Sequence, residues 1–166
     1  DCIHRLADEG ISCLNDYLGW SFILLQPTSP IRLKNDLVNF CSQIKNLGDY
    51  HSVVSVNKRY DVVKDVYEII NKSEVNSDFS IGCIGQKLIT SKSIQSNNTA
   101  FVDGSLYSGS VSMLKEKGFM PEAKTLAFPI SIESSIDIDT EEEFKDALIL
   151  IKKLKELGIE YVKPRI

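Results

Sequence analysis

Short apolar runs separated by amphipathic stretches dominate the pattern of this sequence. The run Ser21–Leu25 is apolar throughout after its first residue, which is typical of a strand buried on both faces of a parallel sheet. Residues 37–44 then carry apolar side chains at helical spacing, with Asn35 or Asp36 placed to cap that helix. A second buried strand is predicted at 51–56. This strand–helix–strand order implies a right-handed crossover between parallel strands.

The rest of the chain shows the same alternation with weaker signals. Residues 100–107 are apolar on both sides of Asp103 and Gly104, which indicates a strand with an interruption. The polar segments 72–80 and 91–99 are predicted to be loops. The other predicted elements are helices at 2–18 and 111–118 and strands at 66–70 and 125–130. The pattern as a whole predicts an α/β fold with a doubly wound, mostly parallel sheet.

An acidic segment follows the last predicted strand. In extended backbone Ile136 and Ile138 point to one face of the chain. Asp137 and Asp139 then point to the other face, about 7 Å apart at their Cα atoms. Two carboxylates this close repel each other unless a cation or a proton neutralises one of them. Because Mg²⁺ takes one or two protein carboxylates together with substrate phosphates, the segment is a candidate magnesium site.

The same segment also has a purely structural interpretation. Thr140 fits a helix N-cap, and Glu143, three residues further on, completes a capping box. Gly158 is placed to end this helix. Its predicted apolar stripe consists of Phe144, Ala147, Leu148, Ile151 and Leu154. Acidic residues are common at helix starts because they interact favourably with the helix dipole, so spacing alone leaves both interpretations open.

Composition and charge narrow the class of protein. The chain has 166 residues, 43% hydrophobic and 25% charged, which suits one globular domain over 1–166 with a sizeable core. The net charge of −4 provides no basic surface for nucleic acid. No apolar run reaches transmembrane length and no signal peptide is visible, so neither nucleic acid nor membrane is expected as a partner.

The cysteine pattern argues against a zinc site. None of the four cysteines forms a Cys-x-x-Cys pair, and the sequence has only two histidines. Cys13 and Cys41 lie in apolar helical stretches and are predicted to be reduced core thiols. This usage predicts a cytoplasmic protein.

Three motifs in order carry a resemblance to a known family. Residues 24–32 read Leu-Leu-Gln-Pro-Thr-Ser-Pro-Ile-Arg, and a helix and the strand 52–56 follow them. Residues 103–107, Asp-Gly-Ser-Leu-Tyr, are similar to that family's Asn-Gly-Ala-Ile-Tyr motif. Residues 135–141, Ser-Ile-Asp-Ile-Asp-Thr-Glu, match its closing motif. Over nearly its whole length the chain resembles the acylneuraminate cytidylyltransferases, the CMP-sialic acid synthetases.

The resemblance implies a reaction, a fold and a set of residues. This family transfers CMP from CTP to the anomeric hydroxyl of a nine-carbon keto-sugar acid and releases pyrophosphate, on a Rossmann-like nucleotide-sugar transferase fold. By similarity, Asp137 and Asp139 hold Mg²⁺ on the CTP phosphates, and Asp139 also helps to deprotonate the hydroxyl. Gln26 contacts the sugar side of the site and belongs to the catalytic set. The other implied substrate-binding residues are Gln95, Asp103, Gly104 and Tyr107.

Three of the motif residues keep a structural alternative. Gln26 could stabilise its own loop, and Tyr107 could be a core residue. Arg32 belongs to the first motif, but its position predicts helix-start electrostatics or a surface ion pair.

The resemblance also carries expectations about completeness and assembly. The family's glycine-rich phosphate loop is expected ahead of Asp1, so the fold is expected to lack its first strands and the fragment alone to be inactive. Family members form dimers, which predicts a homodimer with 108–132 as a possible dimerisation excursion.

Two features depart from the family's pattern on the sugar side of the site. Relatives use arginines ahead of the Asn-Gly motif, whereas no arginine lies between 60 and 164 here, and Ser93 stands at the expected position. Lys87 or Lys92 could substitute as a point charge, and Asp103 replaces the family's asparagine. The alternatives are a nucleotidyltransferase for another sugar and a non-catalytic α/β module that has lost its phosphate-binding loop.

Overall fold

A computed structural model describes residues 18–47, 50–57, 66–76, 79–87, 99–117 and 124–162. Side chains are described for 18–47, 50–57, 100–114 and 124–162. Several predictions therefore lie outside the described residues: nearly all of the helix at 2–18 with Cys13, the loop at 91–98 with Lys92 and Ser93, and the pocket residue Gln95.

The described elements are six strands, three α-helices and one short 3-10 helix. The strands are β1 Ser21–Leu25, β2 Ser52–Asn57, β3 Val66–Asn76, β4 Phe79–Lys87, β5 Thr99–Ser110 and β6 Thr125–Pro129. The helices are α1 Lys34–Lys45, α2 Val111–Lys117 and α3 Glu141–Glu156, and the 3-10 helix is Ile132–Ser135. The prediction of a mixed α/β fold is confirmed.

The strands form one sheet in the order β1-β5-β2-β6-β4-β3, and β3 also pairs with β5. Among the described pairings β2–β6 is parallel, and the others are antiparallel. The expected mostly parallel pairing is therefore wrong for this part of the chain. Because β1 and β2 are both antiparallel to β5, they run in the same direction, as the predicted crossover requires, but β5 lies between them.

Strand β1 differs from its prediction in burial. Strand β1 pairs with β5 on one side, and no described strand pairs with it on the other side. Ile23 and Leu25 are exposed, so the strand is not buried on both faces. An apolar run signals a β-strand but does not specify whether that strand is central or at an edge. All six residues of β2, by contrast, are buried between β5 and β6, as the pattern predicted.

Residues 72–76 and 79–80 belong to strands β3 and β4 rather than to the predicted loop. Strands β3 and β4 pair antiparallel, with Glu74 opposite Ser80 and Asn76 opposite Phe79. Strand β3 begins at Val66, which confirms the strand predicted at 66–70. Cross-strand pairing overrides the low β-propensity of polar residues, so composition alone misassigns such strands.

Helix α1 packs on one face of the sheet through Phe40. This side chain is fully buried and contacts Phe128 edge-to-face, with 5.4 Å between ring centroids and an 84° angle between planes. Asp36 does not cap α1 as predicted; the N-cap is Leu33, without a side-chain cap. The Asp36 carboxylate instead accepts hydrogen bonds from the hydroxyls of Ser131 and Ser134, which fastens α1 to the 3-10 helix.

Helix α3 confirms its predicted ends. Thr140 is the N-cap, and it forms the predicted capping box with Glu143. After the C-cap, Gly158 has a φ of +67°, and its N–H donates to the carbonyl of Lys155. The N–H of Ile159 donates to the carbonyl of Leu154, which completes a Schellman motif.

The apolar stripe of α3 is narrower than predicted. Ala147 and Leu154 are buried against Ile31. Phe144 and Leu148 are each 51% exposed and do not belong to this packed cluster. Helical spacing identifies a face but not how wide a part of it the neighbouring elements cover.

Candidate functional site

The candidate site lies where several chain segments meet at one edge of the sheet. Strands β1, β2 and β6 all run in the same direction, so their carboxyl ends lie at the same edge. The chain leaves β1 at Gln26, whose N–H donates to the carbonyl of Ser105 at 3.3 Å. Residues 103–105 of β5 therefore lie beside the carboxyl end of β1. In open α/β sheets, ligands bind at the carboxyl ends of the strands.

Gly104 brings Gln26 and Tyr107 together. Its φ of +82° lies in the region that favours glycine. A Cβ at this position would lie 3.1 Å from Gln26 Oε1 and 3.3 Å from the Tyr107 hydroxyl. Both polar side chains therefore approach the backbone of Gly104 closely. The structure places these three predicted substrate-binding residues in one cluster.

Asp103, next to Gly104 in this cluster, is buried, and only one of its two carboxylate oxygens has hydrogen-bond partners among the described residues. The residue is 5% exposed, and its Oδ1 accepts from Ser55 Oγ at 2.6 Å and from Ser105 N–H at 2.9 Å. Its Oδ2 is buried without a hydrogen-bond partner. Burial raises the pKa of Asp103 to about 6, opposed by the hydrogen bonds and reinforced by the charge of Asp137.

Asp137 acts electrostatically on Asp103, since its negative charge favours the protonated form of that carboxyl. Its carboxylate is half-buried, and its Oδ1 accepts a long hydrogen bond of 3.5 Å from Ser29 Oγ. The backbone N–H of Ile138 donates to the carbonyl of Thr28 at 2.8 Å. The loop after β1 is thereby held against the acidic segment. Ile136 and Ile138 pack in the α3 cluster, so the predicted alternation of faces is observed, although 136–139 is not part of a strand.

Asp139 has a different environment from Asp137. It is exposed in the turn before α3, and its backbone N–H donates to Glu143 Oε2 at 2.9 Å. The structure therefore associates Asp139 with the helix cap, and Asp137 with the loop and with Asp103. Within the described part of the chain, no group of three or more Asp, Glu, His or Cys side chains is arranged to hold a metal ion.

Several serines hold this site together, and the sequence interpretation assigned them no role. Ser55 Oγ accepts from the N–H of Leu106 while it donates to Asp103, so it links β2 to β5. Ser105 Oγ donates to the carbonyl of Ser134 at 3.0 Å, and Asn57 Nδ2 donates to Ser135 Oγ at 3.0 Å. Polar residues inside apolar strands were the available signal, because buried polar groups need partners.

Arg32 does not form the predicted ion pair. Its guanidinium is half-buried, and no carboxylate among the described residues pairs with it. Nη2 donates to the carbonyl of Gln26 at 2.5 Å, whereas Nε is buried without a partner. Burial lowers the pKa of Arg32. The buried side-chain atoms without partners in the described part of the chain are Thr28 Oγ1, Arg32 Nε and Asp103 Oδ2, and all three belong to this site or its loop.

The proposed dimerisation excursion contains regular structure. The range 108–132 includes the end of β5, helix α2 and strand β6. Four of the five residues of β6 are buried within the sheet, so they are core residues of this chain. Residues 118–123 lie outside the described part of the chain.

Comparisons with known proteins do not assign a family. No protein-family model matches the sequence, and no curated protein matches it significantly. Among the described helices, none combines the length and apolar character needed to cross a membrane. The arrangement of side chains described above is therefore the basis for inferring what the protein does.

Proposed function

We propose that this protein is a cytidylyltransferase that transfers CMP from CTP to a sialic-acid-like keto-sugar acid and releases pyrophosphate. The observation that carries the proposal is the convergence of Gln26 and Tyr107 over Gly104, beside the two carboxylates of Asp103 and Asp137. These residues come from all three sequence motifs, the third of which lies in the segment between β6 and α3. The finer description of the fold, a Rossmann-like doubly wound domain, is part of this proposal.

Hydrogen-bonding capacity supports a polyhydroxylated substrate. The Gln26 amide can both donate and accept, and a tyrosine hydroxyl can do the same. Because a side chain at position 104 would fill the space between them, glycine keeps both groups close to one small volume. Gln26 and Tyr107 would orient sugar hydroxyls there, with Gln95 as the further substrate contact implied by the resemblance.

The acidic segment fits a magnesium ion chemically. Its donors are hard carboxylate oxygens, and among the described residues Asp137 accepts no hydrogen bond shorter than 3.5 Å, so its oxygens can bind a ligand. Asp137 and Asp139 would hold the ion. When bound, Mg²⁺ would neutralise charge on the CTP phosphates.

The protein residues then position the reacting groups. The anomeric hydroxyl oxygen attacks the α-phosphorus of CTP, a new P–O bond forms, and the bond to the bridging oxygen of pyrophosphate breaks. Asp139, exposed at the turn, would accept the proton of the attacking hydroxyl directly or through water. Most of the catalytic effect in such transfers comes from positioning and charge neutralisation.

The direct test is pyrophosphate release by the intact protein with CTP, Mg²⁺ and a panel of keto-sugar acids. We expect Asp137→Asn and Asp139→Asn each to lower turnover by roughly 100-fold or more, because each removes one metal-binding charge. Asp146→Asn, an exposed carboxylate within α3, is the matched control and should keep turnover within about twofold. Circular dichroism should show the same folded state for all three variants. Absence of pyrophosphate release with every acid would instead support a non-catalytic α/β module.

A further inference from the structure

Arg32 carries a charge that the described part of the chain does not neutralise. Its half-buried guanidinium has no carboxylate partner there. Lys34, two residues later, is paired with Glu160 at 2.6 Å. An arginine stays protonated at any physiological pH, so this position keeps a full positive charge. A partly buried charge without a counter-ion is unfavourable, which makes the site receptive to an anion from outside the chain.

A hydrogen bond to the backbone of Gln26 holds the Arg32 guanidinium in position. Nη2 donates to the Gln26 carbonyl at 2.5 Å, and the same carbonyl accepts from the N–H of Ser29 at 3.2 Å. The turn after β1 is thus closed on itself, with the guanidinium attached to it. The Gln26 side chain extends from this point towards Gly104. A group that Gln26 holds in the cluster would therefore be close to a preorganised cation.

Charge is distributed unequally across this loop. Ser29 of this loop donates to Asp137, whose charge also acts on Asp103, whereas Arg32 supplies a positive charge. Arg32 is the only arginine whose side chain is described, and of the chain's four arginines none lies between 60 and 164. A planar guanidinium matches a carboxylate in shape and can donate two parallel hydrogen bonds to it.

We propose that Arg32 binds the carboxylate of the keto-sugar acid and thereby selects acidic sugars over neutral ones. This inference rests on the proposed function for the identity of the ligand. Arg32 acts here as a substrate-binding residue, and the hydrogen bond to Gln26 keeps its guanidinium in place.

The kinetic test uses Arg32→Gln and Arg32→Lys in the pyrophosphate-release assay. Glutamine keeps an amide donor but is shorter and has no charge, so we expect KM for the sugar acid to rise roughly 10- to 100-fold with KM for CTP unchanged. Lysine keeps the charge and should recover part of this loss. Lys34→Gln is the control, because it removes a nearby charge that is already paired. If only KM for CTP rises, Arg32 binds the CTP phosphates rather than the sugar carboxylate. If neither KM changes, Arg32 only stabilises its loop. Either result overturns the proposal.

A binding measurement separates this inference from the proposed reaction. In the ¹⁵N-labelled intact protein, the Arg32 Nε–H signal, identified by its loss in Arg32→Lys, is followed during titration without CTP. We expect N-acetylneuraminate or 3-deoxy-octulosonate to shift it, whereas their methyl esters and inorganic pyrophosphate should not. A shift without any pyrophosphate release would retain the carboxylate site and reject the transferase. If the protein releases pyrophosphate but no sugar acid shifts the signal, the proposed role of Arg32 is rejected and the transferase is kept. A shift caused only by pyrophosphate would likewise reject the role of Arg32.

Discussion

The buried carboxyl of Asp103 should make the stability of the protein depend on pH in an unusual direction. Burial raises its pKa to about 6 from an ordinary value of 3.8, so between these values the folded protein binds more protons than the unfolded chain. The contribution to the free energy of unfolding is therefore fully present below about pH 4 and is lost as pH rises through 6. The free energy of unfolding falls by about 3 kcal/mol in total, because each pH unit between the two pKa values corresponds to about 1.4 kcal/mol.

The substitution Asp103→Asn isolates this effect. Its Oδ1 can keep the hydrogen bonds from Ser55 and from the Ser105 N–H, while the new amide nitrogen takes the position of the unpartnered Oδ2. An unpartnered amide costs about 1–3 kcal/mol, but this cost does not change with pH. The free energy of unfolding of Asp103→Asn, relative to the native protein, should therefore rise by about 3 kcal/mol between pH 4 and pH 7.5.

Urea unfolding at several pH values, with EDTA present, measures this difference. Carboxylates that do not interact with Asp103 contribute equally to both proteins and cancel. Asp146→Asn, in which an exposed carboxylate is replaced, shows the background and should give a difference that varies by less than about 0.5 kcal/mol across the range. If the stability difference of Asp103→Asn varies as little with pH as that of this control, burial does not raise the pKa of the Asp103 carboxyl.

Two further predictions concern backbone geometry and helix ends. Gly104→Ala should lower the free energy of unfolding by about 1–2 kcal/mol, measured by urea unfolding, because the φ of Gly104 is +82°. It should also raise KM for the sugar acid, measured by kinetics, because the new Cβ would displace Gln26. Gly19→Ala, where a Cβ meets nothing within 4 Å, is its control, and equal stability losses in both would contradict the strain argument. Thr140→Ala should cost about 1 kcal/mol in urea unfolding by removing the capping box, whereas Thr140→Ser should retain it; equal values would show that the cap contributes nothing.

The candidate site was partly visible in the sequence because its motifs are short and polar residues interrupt apolar strands. The family resemblance assigned residues 26, 103, 104, 107 and 137 to one site, and the structure places 26, 104 and 107 in one cluster, with the charge of Asp137 acting on Asp103. It does not reproduce the predicted pairing of the two aspartates in one strand, since Asp139 lies in the turn that caps α3. Arg32 was expected to serve helix-start electrostatics or a surface ion pair, and whether a described carboxylate pairs with it depends on which distant residues the fold places nearby.

Sequence alone determined the features that depend on neighbouring residues. The cap at Thr140, the end of α3 at Gly158 and the buried strand β2 all follow from interactions within about four residues or from a continuous apolar run. Only the tertiary structure decided that β5 lies between β1 and β2, and that it runs antiparallel to both. Strand order is set by hydrogen bonds between residues that are far apart in the chain, so no local pattern records it. The burial of Asp103 follows from that order, because β5 is covered by β2, whose Ser55 donates a hydrogen bond to its carboxylate.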